Sequence, residues 1–197
     1  MNTSRPAMTL RKKLMLLPVI SLLGLGALHA LNSFIAGQIE EKVIFPRIRD
    51  SVIEGHKRSI RATVDVAAEH LGQVVKQHKT RAEQEAAIIA ATDPVRFFAD
   101  SSGYLFTYDV TGVRINVPIN KSGNGKNQMG QRDANGVAFI EGLVRAAQKG
   151  GDFVSYHFEK EGKGIQPKLA YSKMIPGTDM LVGTGVYTDD VDTEIAR

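Results

Sequence analysis

A run of 26 residues without a formal charge, from Leu14 to Ile39, most restricts how this chain can fold. About 20 such residues in a helix cross a hydrocarbon core of about 30 Å. The run directly follows the basic cluster at residues 11–13, and basic flanks favour the cytoplasmic side. We therefore predict a cytoplasmic basic tail over residues 1–13, a transmembrane helix over residues 14–36, and the rest of the chain beyond the membrane.

The same run also fits the apolar part of a cleaved signal peptide. Candidate cleavage sites lie near "ALHA" and "SFIA", but neither has small residues at both key positions. The apolar run also continues past "ALHA" without a break. These features favour an uncleaved anchor; cleavage would instead leave a freestanding periplasmic binding module.

Charge and cysteine content exclude several classes of function. The net charge is +4, but the four basic residues before Leu14 account for the whole excess. The densest basic group in the remaining chain, "KRSIR" at residues 57–61, is typical of a solvated helix face, so we expect no nucleic-acid partner. The absence of cysteine excludes disulfides, thiolate metal sites and a cysteine nucleophile.

A long helix is predicted over residues 38–91, because apolar side chains recur there mostly three or four positions apart. The positions on this face are Ile39, Val43, Ile48, Val52, Ile60, Val64, Ala67, Leu71 and Val74, continued by His78. Such a helix is roughly 75 Å long at about 1.5 Å per residue. A small domain cannot cover this face along its whole length, so we predict a parallel homodimer.

The sequence period changes after "TDP" at residues 92–94, where proline disfavours further helix. Five segments alternate as strands do, and they are "GYLFTYD", "VRINVP", "DFVSYHFE", "PKLAYSKMI" and "DMLVGTGVY". A short helix lies between the second and third, with Asp133 as its predicted cap and Gly150 as its stop. Short connections favour antiparallel neighbours. We predict an α+β domain in which helices cover one side of a five-stranded antiparallel sheet.

Motifs for catalysis or metal binding are absent from the sequence. His70 and His78 are eight residues apart without a carboxylate at metal-site spacing, and no G-x-S-x-G motif occurs. The loop "SGNGKNQ" lacks the first glycine and the hydroxyl residue of a phosphate-binding loop. We expect no catalytic residue, no metal and no cofactor. An enzyme that used the tyrosines, lysine and aspartates would instead turn its ligand over.

A group of polar and cationic residues at the start of the sheet or within its strands favours a binding site. Its members are Arg96, Tyr104, Tyr108, Asn116, Tyr156, Lys168 and Tyr171. A cation inside a strand is costly to bury without an anion, while tyrosine offers a directional hydroxyl on an apolar ring. Such a set suits a small carboxylate. Alternatively, the tyrosines pack ordinarily and the cations face solvent.

Three segments resemble the single Cache domain of bacterial chemoreceptors and sensor histidine kinases. They are "GYLFTYDVTGVRINVP", "GKNQMGQRDANGVAFIEGLVRAAQKGGDFVSYHF" and "PKLAYSKMIPGTDMLVGTGVYTDDVD". The resemblance covers roughly residues 38–192. It implies a periplasmic sensor domain over residues 37–192, with a long N-terminal helix on a PAS-like sheet that binds a small organic acid. It also implies a dimer through that helix and no catalysis.

The resemblance implies a set of pocket residues. From the first strand these are Tyr104, Phe106 and Tyr108, and from later strands Tyr156, Lys168 and Tyr171. Lys168 is the predicted anion partner, and Arg96 is a second candidate cation. Where the family often has a histidine near the proline of the second strand, this chain has Asn116 and Val117. Asparagine offers a neutral hydrogen bond there, which leaves the ligand's identity open.

The resemblance also implies how such a sensor transmits a signal. The last strand of these receptors leads into a second membrane helix, and here Gly183 and Gly185 would allow a close backbone approach within that strand. Only residues 193–197 follow the predicted domain. We therefore expect a single-pass inner-membrane protein whose downstream signalling module is not in this chain, either as part of a longer receptor or with a partner. A dimerisation module that binds no ligand is the alternative.

Overall fold

The computed structural model describes residues 10–189 and residue 191, without the side chains of seven residues between positions 12 and 20. Most of the predicted basic tail and the end at residues 193–197 therefore lie outside the described residues. The chain divides into two compact units, which meet between Ile48 and Arg49. Each unit is described by itself.

The first unit is helical. Helix α1 spans Leu10–Ile39, a π-helical turn follows at Glu40–Ile44, and helix α2 begins at Phe45. The Phe45 N–H donates to Glu40 O, a bond one residue longer than in an α-helix. From Ser21 onward the helix contains an 18-residue window of mean hydropathy 1.3 with no residue buried. It is therefore long and apolar enough to cross a membrane.

The predicted helix over residues 38–91 is interrupted near its C-terminal end. Helix α2 spans Phe45–Val75, and a separate helix α3 spans Arg81–Thr92. The reason is a capping box at the start of α3. The Thr80 hydroxyl accepts from Glu83 N at 3.3 Å, and the Glu83 carboxylate accepts from Thr80 N at 3.0 Å. The spacing T-x-x-E is a sequence signal for such a start.

The five predicted strands form one antiparallel sheet, which confirms the predicted fold class. The strands are β1 (Phe106–Asp109), β2 (Arg114–Asn116), β3 (Asp152–Lys160), β4 (Gly164–Met174) and β5 (Met180–Tyr187). Their order in the sheet is β2-β1-β5-β4-β3. Strand β5 therefore lies at the centre of the sheet. On one side it pairs with β1, which is far from it in sequence, and on the other side with β4, which directly precedes it in the chain.

Helices cover both faces of this sheet, whereas the sequence predicted helices on one side. Helices α2 and α3 supply Ile60, Val64 and Ile88 to one core, whereas helix α4 (Phe139–Gln148) supplies Phe139 and Leu143 to the other. All eight residues of β5 are buried. Because side chains alternate along a strand, this burial requires cover on both faces.

The predicted cap of α4 has a different function in the structure. Ala138 is the N-cap residue of α4 and makes no side-chain cap. The Asp133 carboxylate instead accepts from the N–H groups of Asn135 (2.9 Å), Val137 (2.8 Å) and His157 (2.7 Å). It thus closes the preceding turn and ties that turn to β3. Gly150 does stop the helix, with φ 96° and its N–H on Ala147 O.

Candidate ligand-binding site

A buried lysine on β4 is the most unusual group of the domain. Lys168 is only 2% exposed, and its Nζ donates to Tyr104 Oη at 2.7 Å. The nitrogen lies 4.1 Å from the centre of the Tyr104 ring, 4.6 Å from that of Tyr187 and 5.6 Å from that of Phe158. Aromatic faces attract a cation at such distances. The three rings and the Tyr104 hydroxyl thus form an aromatic box around the ammonium group.

The ammonium group of Lys168 has no counter-ion within the described part of the chain. Its contacts there are the Tyr104 hydroxyl and the aromatic rings, and no carboxylate forms an ion pair with it. Burial alone lowers the pKa of Lys168 to about 7, because loss of water penalises the charged form. An anion beside the nitrogen would remove that penalty. The site therefore favours binding of a negatively charged ligand.

Glycines on the neighbouring strand make room for the box. An ideal Cβ on Gly185 would lie 2.8 Å from Lys168 Cε and 2.7 Å from Leu169 O. A Cβ on Gly183 would lie 2.5 Å from the Phe106 ring. The close approach predicted for these two glycines is therefore present, and it places two site side chains directly on the surface of β5.

A contracted aromatic cavity adjoins the box on the face covered by α4. Its volume is about 10 Å³, roughly the space that one water molecule needs. The Phe139 ring of α4 stacks on Tyr156, with centres 4.7 Å apart and planes 13° apart. Burial raises the pKa values of Tyr104 and Tyr156 well above the ordinary value. Both hydroxyls therefore stay protonated at neutral pH, and the cavity as it stands has no room for a molecule larger than water.

Two surface clefts reach this site from different directions, and each has a volume of about 280 Å³. The first, the β3 cleft, is lined by Asn135, Ser155, Tyr156, His157, Lys168 and Thr188 among others. The second lies beside residues 97–103, the segment before β1 that we call the strap. This strap cleft is lined by Arg96, Asp100, Tyr104, Lys160, Lys163 and Tyr187 among others.

The structure brings most of the predicted site residues together. Tyr104, Phe106, Tyr108 and Tyr156 line the aromatic cavity, and Lys168 lies beside it. Arg96 is exposed in the strap cleft. Its guanidinium donates to the backbone oxygens of Asp93 at 2.9 Å and Val95 at 2.8 Å.

Two predicted residues lie away from the cavity. Tyr171 is three positions from Lys168 in the same strand, so it faces α2, where it packs against Phe153 with ring centres 4.9 Å apart. Asn116 is fully buried and donates to Thr92 Oγ1 of α3 at 3.1 Å. Its amide therefore joins β2 to α3. The structure does not bring either residue to Lys168.

Sequence reasoning missed other residues that build the site. Tyr187 stands two positions after Gly185, so strand alternation places it on the same face, and this signal was readable. Phe139 lies in the predicted short helix, and nothing in the sequence distinguishes it there as a site residue. Arg114 is 3% exposed, and its guanidinium donates to Asn120 O at 2.8 Å and Gln128 Oε1 at 2.5 Å. It also adjoins Tyr108, yet in the sequence it is an ordinary strand residue.

Comparison with known proteins identifies the family. The family model of Single Cache domain 2 matches residues 52–197. The sensor histidine kinase MctS of Rhizobium johnstonii is 33% identical over 115 residues, which cover 58% of this chain and 24% of that protein. The methyl-accepting chemotaxis protein CtpM of Pseudomonas aeruginosa is 23% identical over 196 residues, which cover 96% of this chain and 34% of that protein. The chain thus spans between a quarter and a third of the length of these relatives.

Solved structures share the same fold. A methyl-accepting chemotaxis protein from Vibrio parahaemolyticus superposes with a TM-score of 0.63 at 30% identity, covering 74% of this chain and 97% of that chain. A Cache chemosensory domain, whose structure is described as a basis for carboxylic acid recognition, has a TM-score of 0.61 at 20% identity, covering 70% and 97%. The second likeness concerns the fold alone. Given the family match over residues 52–197, this protein belongs to the single Cache domain 2 family, the sensor domains of chemotaxis receptors and sensor histidine kinases.

Proposed function

We propose that this protein is the extracytoplasmic sensor of a bacterial signalling receptor and that it binds a small organic acid at Lys168. The observation that carries the proposal is the Lys168 ammonium group, which is 2% exposed and has no ion pair within the described residues. A buried charge is usually paired, because leaving it unpaired costs several kcal/mol. The carboxylate of the ligand would supply the missing partner.

The surroundings of Lys168 favour a ligand with one acid group and a short body. The adjoining cavity is lined mainly by aromatic and aliphatic side chains, and its tyrosine hydroxyls are neutral. A phosphate would require several strong donors at one point. A carboxylate on an organic body matches one cation beside an apolar cavity. Carboxylic acid recognition by a domain of the same fold supports this choice of ligand class.

The membrane anchor and the dimer are parts of the same proposal. Helix α1 would cross the inner membrane and leave the sheet domain in the periplasm. The apolar positions of the helix sequence extend back to Ile48, near the start of α2 at Phe45, and Ile48 is 42% exposed in the single chain. We propose that a second copy covers this part of the helix. The downstream kinase or chemotaxis module would lie outside this chain, since the matched residues make up only 24% and 34% of the two relatives.

Ligand binding would act by shifting a conformational equilibrium. We propose that the body of the acid enters the aromatic cavity, whose volume of about 10 Å³ is too small for it, so binding there requires movement of the cavity wall. A ligand shifts such an equilibrium only by its differential affinity for the two states. Phe139 lines that wall from α4, so we expect this helix to move relative to β3 when the cavity fills.

The test is a thermal unfolding screen of the full chain in lipid nanodiscs, followed by circular dichroism. Acetate, propionate, lactate and pyruvate are the ligands, and the variants are Lys168→Met and Lys173→Met. A ligand at about one hundred times its dissociation constant should stabilise the fold by about 2.7 kcal/mol. We expect one acid class to stabilise the wild type and Lys173→Met but not Lys168→Met. Equal stabilisation of Lys168→Met would refute the assignment, and no stabilisation by any acid would favour a dimerisation module without a ligand.

A further inference from the structure

The strap is a short closed loop with a strained backbone. Its ends are paired, since Phe97 N–H donates to Gly103 O at 3.1 Å and Gly103 N–H donates to Phe97 O at 3.0 Å. Two of its residues adopt left-handed conformations although they are not glycine, Phe98 at φ 66° and Ser101 at φ 58°. Such conformations persist only where the surroundings hold them, and they are concentrated at functional sites.

An ion pair holds the strap across the cleft. Lys160 Nζ, at the end of β3, lies 3.7 Å from Asp100 Oδ2 in the strap. The same nitrogen lies 3.5 Å from Asp189 Oδ2, two residues after β5 ends. Lys160 is only 4% exposed, whereas Asp100 is 49% exposed. A single buried ammonium group therefore contacts both the strap and the chain that leaves the central strand.

The ring of Tyr187 connects this ion pair to the binding site. Its centre lies 5.2 Å from Lys160 Nζ and 4.6 Å from Lys168 Nζ. Its hydroxyl donates to Glu159 O at 2.6 Å, which fixes the ring against β3. The strap cleft also borders Tyr104, which accepts the hydrogen bond from Lys168. Opening the strap would therefore expose the aromatic box.

Charge favours the strap cleft over the β3 cleft as the entrance for an anion. Its lining includes the cations Arg96, Lys160 and Lys163 together with Asp100 and Glu161. In the β3 cleft the cation is Lys168 itself, and Asp133 places a carboxylate there that three backbone N–H groups hold in position. Although Asp189 pairs with both Lys160 and Lys163, the strap cleft offers an approaching carboxylate three cations, whereas the β3 cleft offers one.

We propose that Lys160 is an entry site for the organic acid and the latch of the strap, a role that rests on the proposed function of Lys168. The entering carboxylate replaces Asp100 on Lys160, the strap opens, and the acid passes the Tyr187 ring to reach Lys168. Lys160 also contacts Asp189, which Lys163 holds as well, so the exchange weakens one of the two lysine contacts of the chain after β5. Ligand entry and the output end of the sheet are thus linked through one side chain.

Hydrogen exchange without any ligand tests the latch, with the full chain in nanodiscs. The variant is Asp100→Asn, and the matched control is Glu161→Gln, which removes the same charge from the same cleft without an ion pair to Lys160 in the described residues. We expect faster exchange in Asp100→Asn at residues 97–103 and at residues 187–189, and no change in the control. Faster exchange of Asp100→Asn at residues 97–103 but not at residues 187–189 would overturn the link to β5. Equally fast exchange in Asp100→Asn and Glu161→Gln would overturn it too.

Stopped-flow binding of propionate tests the entry route. Loss of a partly exposed ion pair predicts that the association and dissociation rate constants both rise about two- to fivefold in Asp100→Asn, while their ratio changes little. Lys160→Met should slow association more strongly than Lys163→Met. Wild-type rate constants in Asp100→Asn would contradict the route. A rise in both rate constants of Glu161→Gln as large as that in Asp100→Asn would contradict it as well. If propionate does not bind even to the wild type, the proposed acid is wrong, and hydrogen exchange alone decides the latch.

Discussion

The two faces of the sheet bury different chemistry. Against α2 and α3 the sheet presents mainly aliphatic side chains, and Ile60, Val64 and Ile88 from the helices are fully buried there. Under α4 it presents tyrosines, phenylalanines and the ammonium group of Lys168. The aliphatic side chains of the first face are buried together, as in a core that supplies stability. The aromatic face carries a buried charge and a contracted cavity, as a binding surface does.

Two lysines of the same strand show the difference most clearly. Lys173 lies on the α2 face, where its Nζ is 2.9 Å from Asp65 Oδ1, and the hydrogen bond to this carboxylate raises its pKa. Lys168 lies on the α4 face without an ion pair to a carboxylate of the described residues, and burial lowers its pKa to about 7. The Lys173 ammonium group thus has a partner within the fold. The Lys168 ammonium group is the proposed partner of a ligand.

The largest expected loss of stability comes from a substitution on the aliphatic face. Ile60→Ala removes a fully buried side chain and should lower the free energy of unfolding by about 2–5 kcal/mol through lost burial and a cavity. Acid affinity, measured by calorimetry, should stay within about twofold. Val66→Ala on the exposed side of the same helix is the control. A folded Ile60→Ala protein with strongly reduced affinity would contradict the division between the faces.

The next largest effect is the pH dependence of the free energy of unfolding, which should reveal the buried Lys168 of the aromatic face. The pKa of Lys168 is lower in the folded state than the ordinary value of 10.5, so the unfolded chain binds more protons between about pH 7 and that value. The free energy of unfolding should therefore rise with pH across this window, by up to about 1.4 kcal/mol per pH unit. Chemical denaturation between about pH 7.5 and 9.5 measures this slope, and Lys168→Met should lack it. Equal slopes in both proteins would contradict the prediction.

A methyl group on β5 should disturb the aromatic face alone. Gly185→Ala places its Cβ against Leu169 O and Lys168 Cε, and the backbone contact cannot be relieved by a change of rotamer. We expect a loss of about 1–3 kcal/mol in stability together with weaker acid binding. Gly55→Ala in α2 has no atom within 4 Å of its Cβ, so it should be neutral or slightly stabilising. Unchanged affinity in a folded Gly185→Ala protein would argue against this position of Lys168.

The smallest effect is expected for Lys173→Met. Its ion pair with Asp65 is partly exposed, and such pairs contribute about 0–1 kcal/mol. Thermal unfolding should change little, and calorimetry should find wild-type acid affinity. A marked loss of affinity would mean that the α2 face also takes part in binding.

Local patterns in the sequence were sufficient for much of the fold. Alternation predicted the five strands, and tight connections predicted that neighbouring strands are antiparallel. The motif that contains Lys168 predicted the candidate binding site. The break before α3 was also readable, since Thr80 and Glu83 have capping-box spacing. Alternation further separates Lys168 from Tyr171, because residues three apart in a strand face opposite sides.

The remaining features depend on contacts between distant segments. The pairing of β1 with β5, which places β5 at the centre of the sheet, is one that no local pattern gives. The same holds for Asn116, whose amide meets Thr92 of α3, and for Arg114, whose guanidinium binds loop oxygens. The pairing of Lys160 with Asp100 and Asp189 joins three segments that only the folded sheet brings together.

The most direct test of a buried cation that binds an anion is an NMR titration of the lysine side chains in the full chain. Lysines labelled at Cε and Nζ would be followed against pH with and without propionate, and Lys168→Met would assign the signal. We predict a pKa near 7 for Lys168 in the free protein, which rises when propionate binds, while that of Lys173 stays high. An ordinary pKa for Lys168 that propionate leaves unchanged would contradict the central claim.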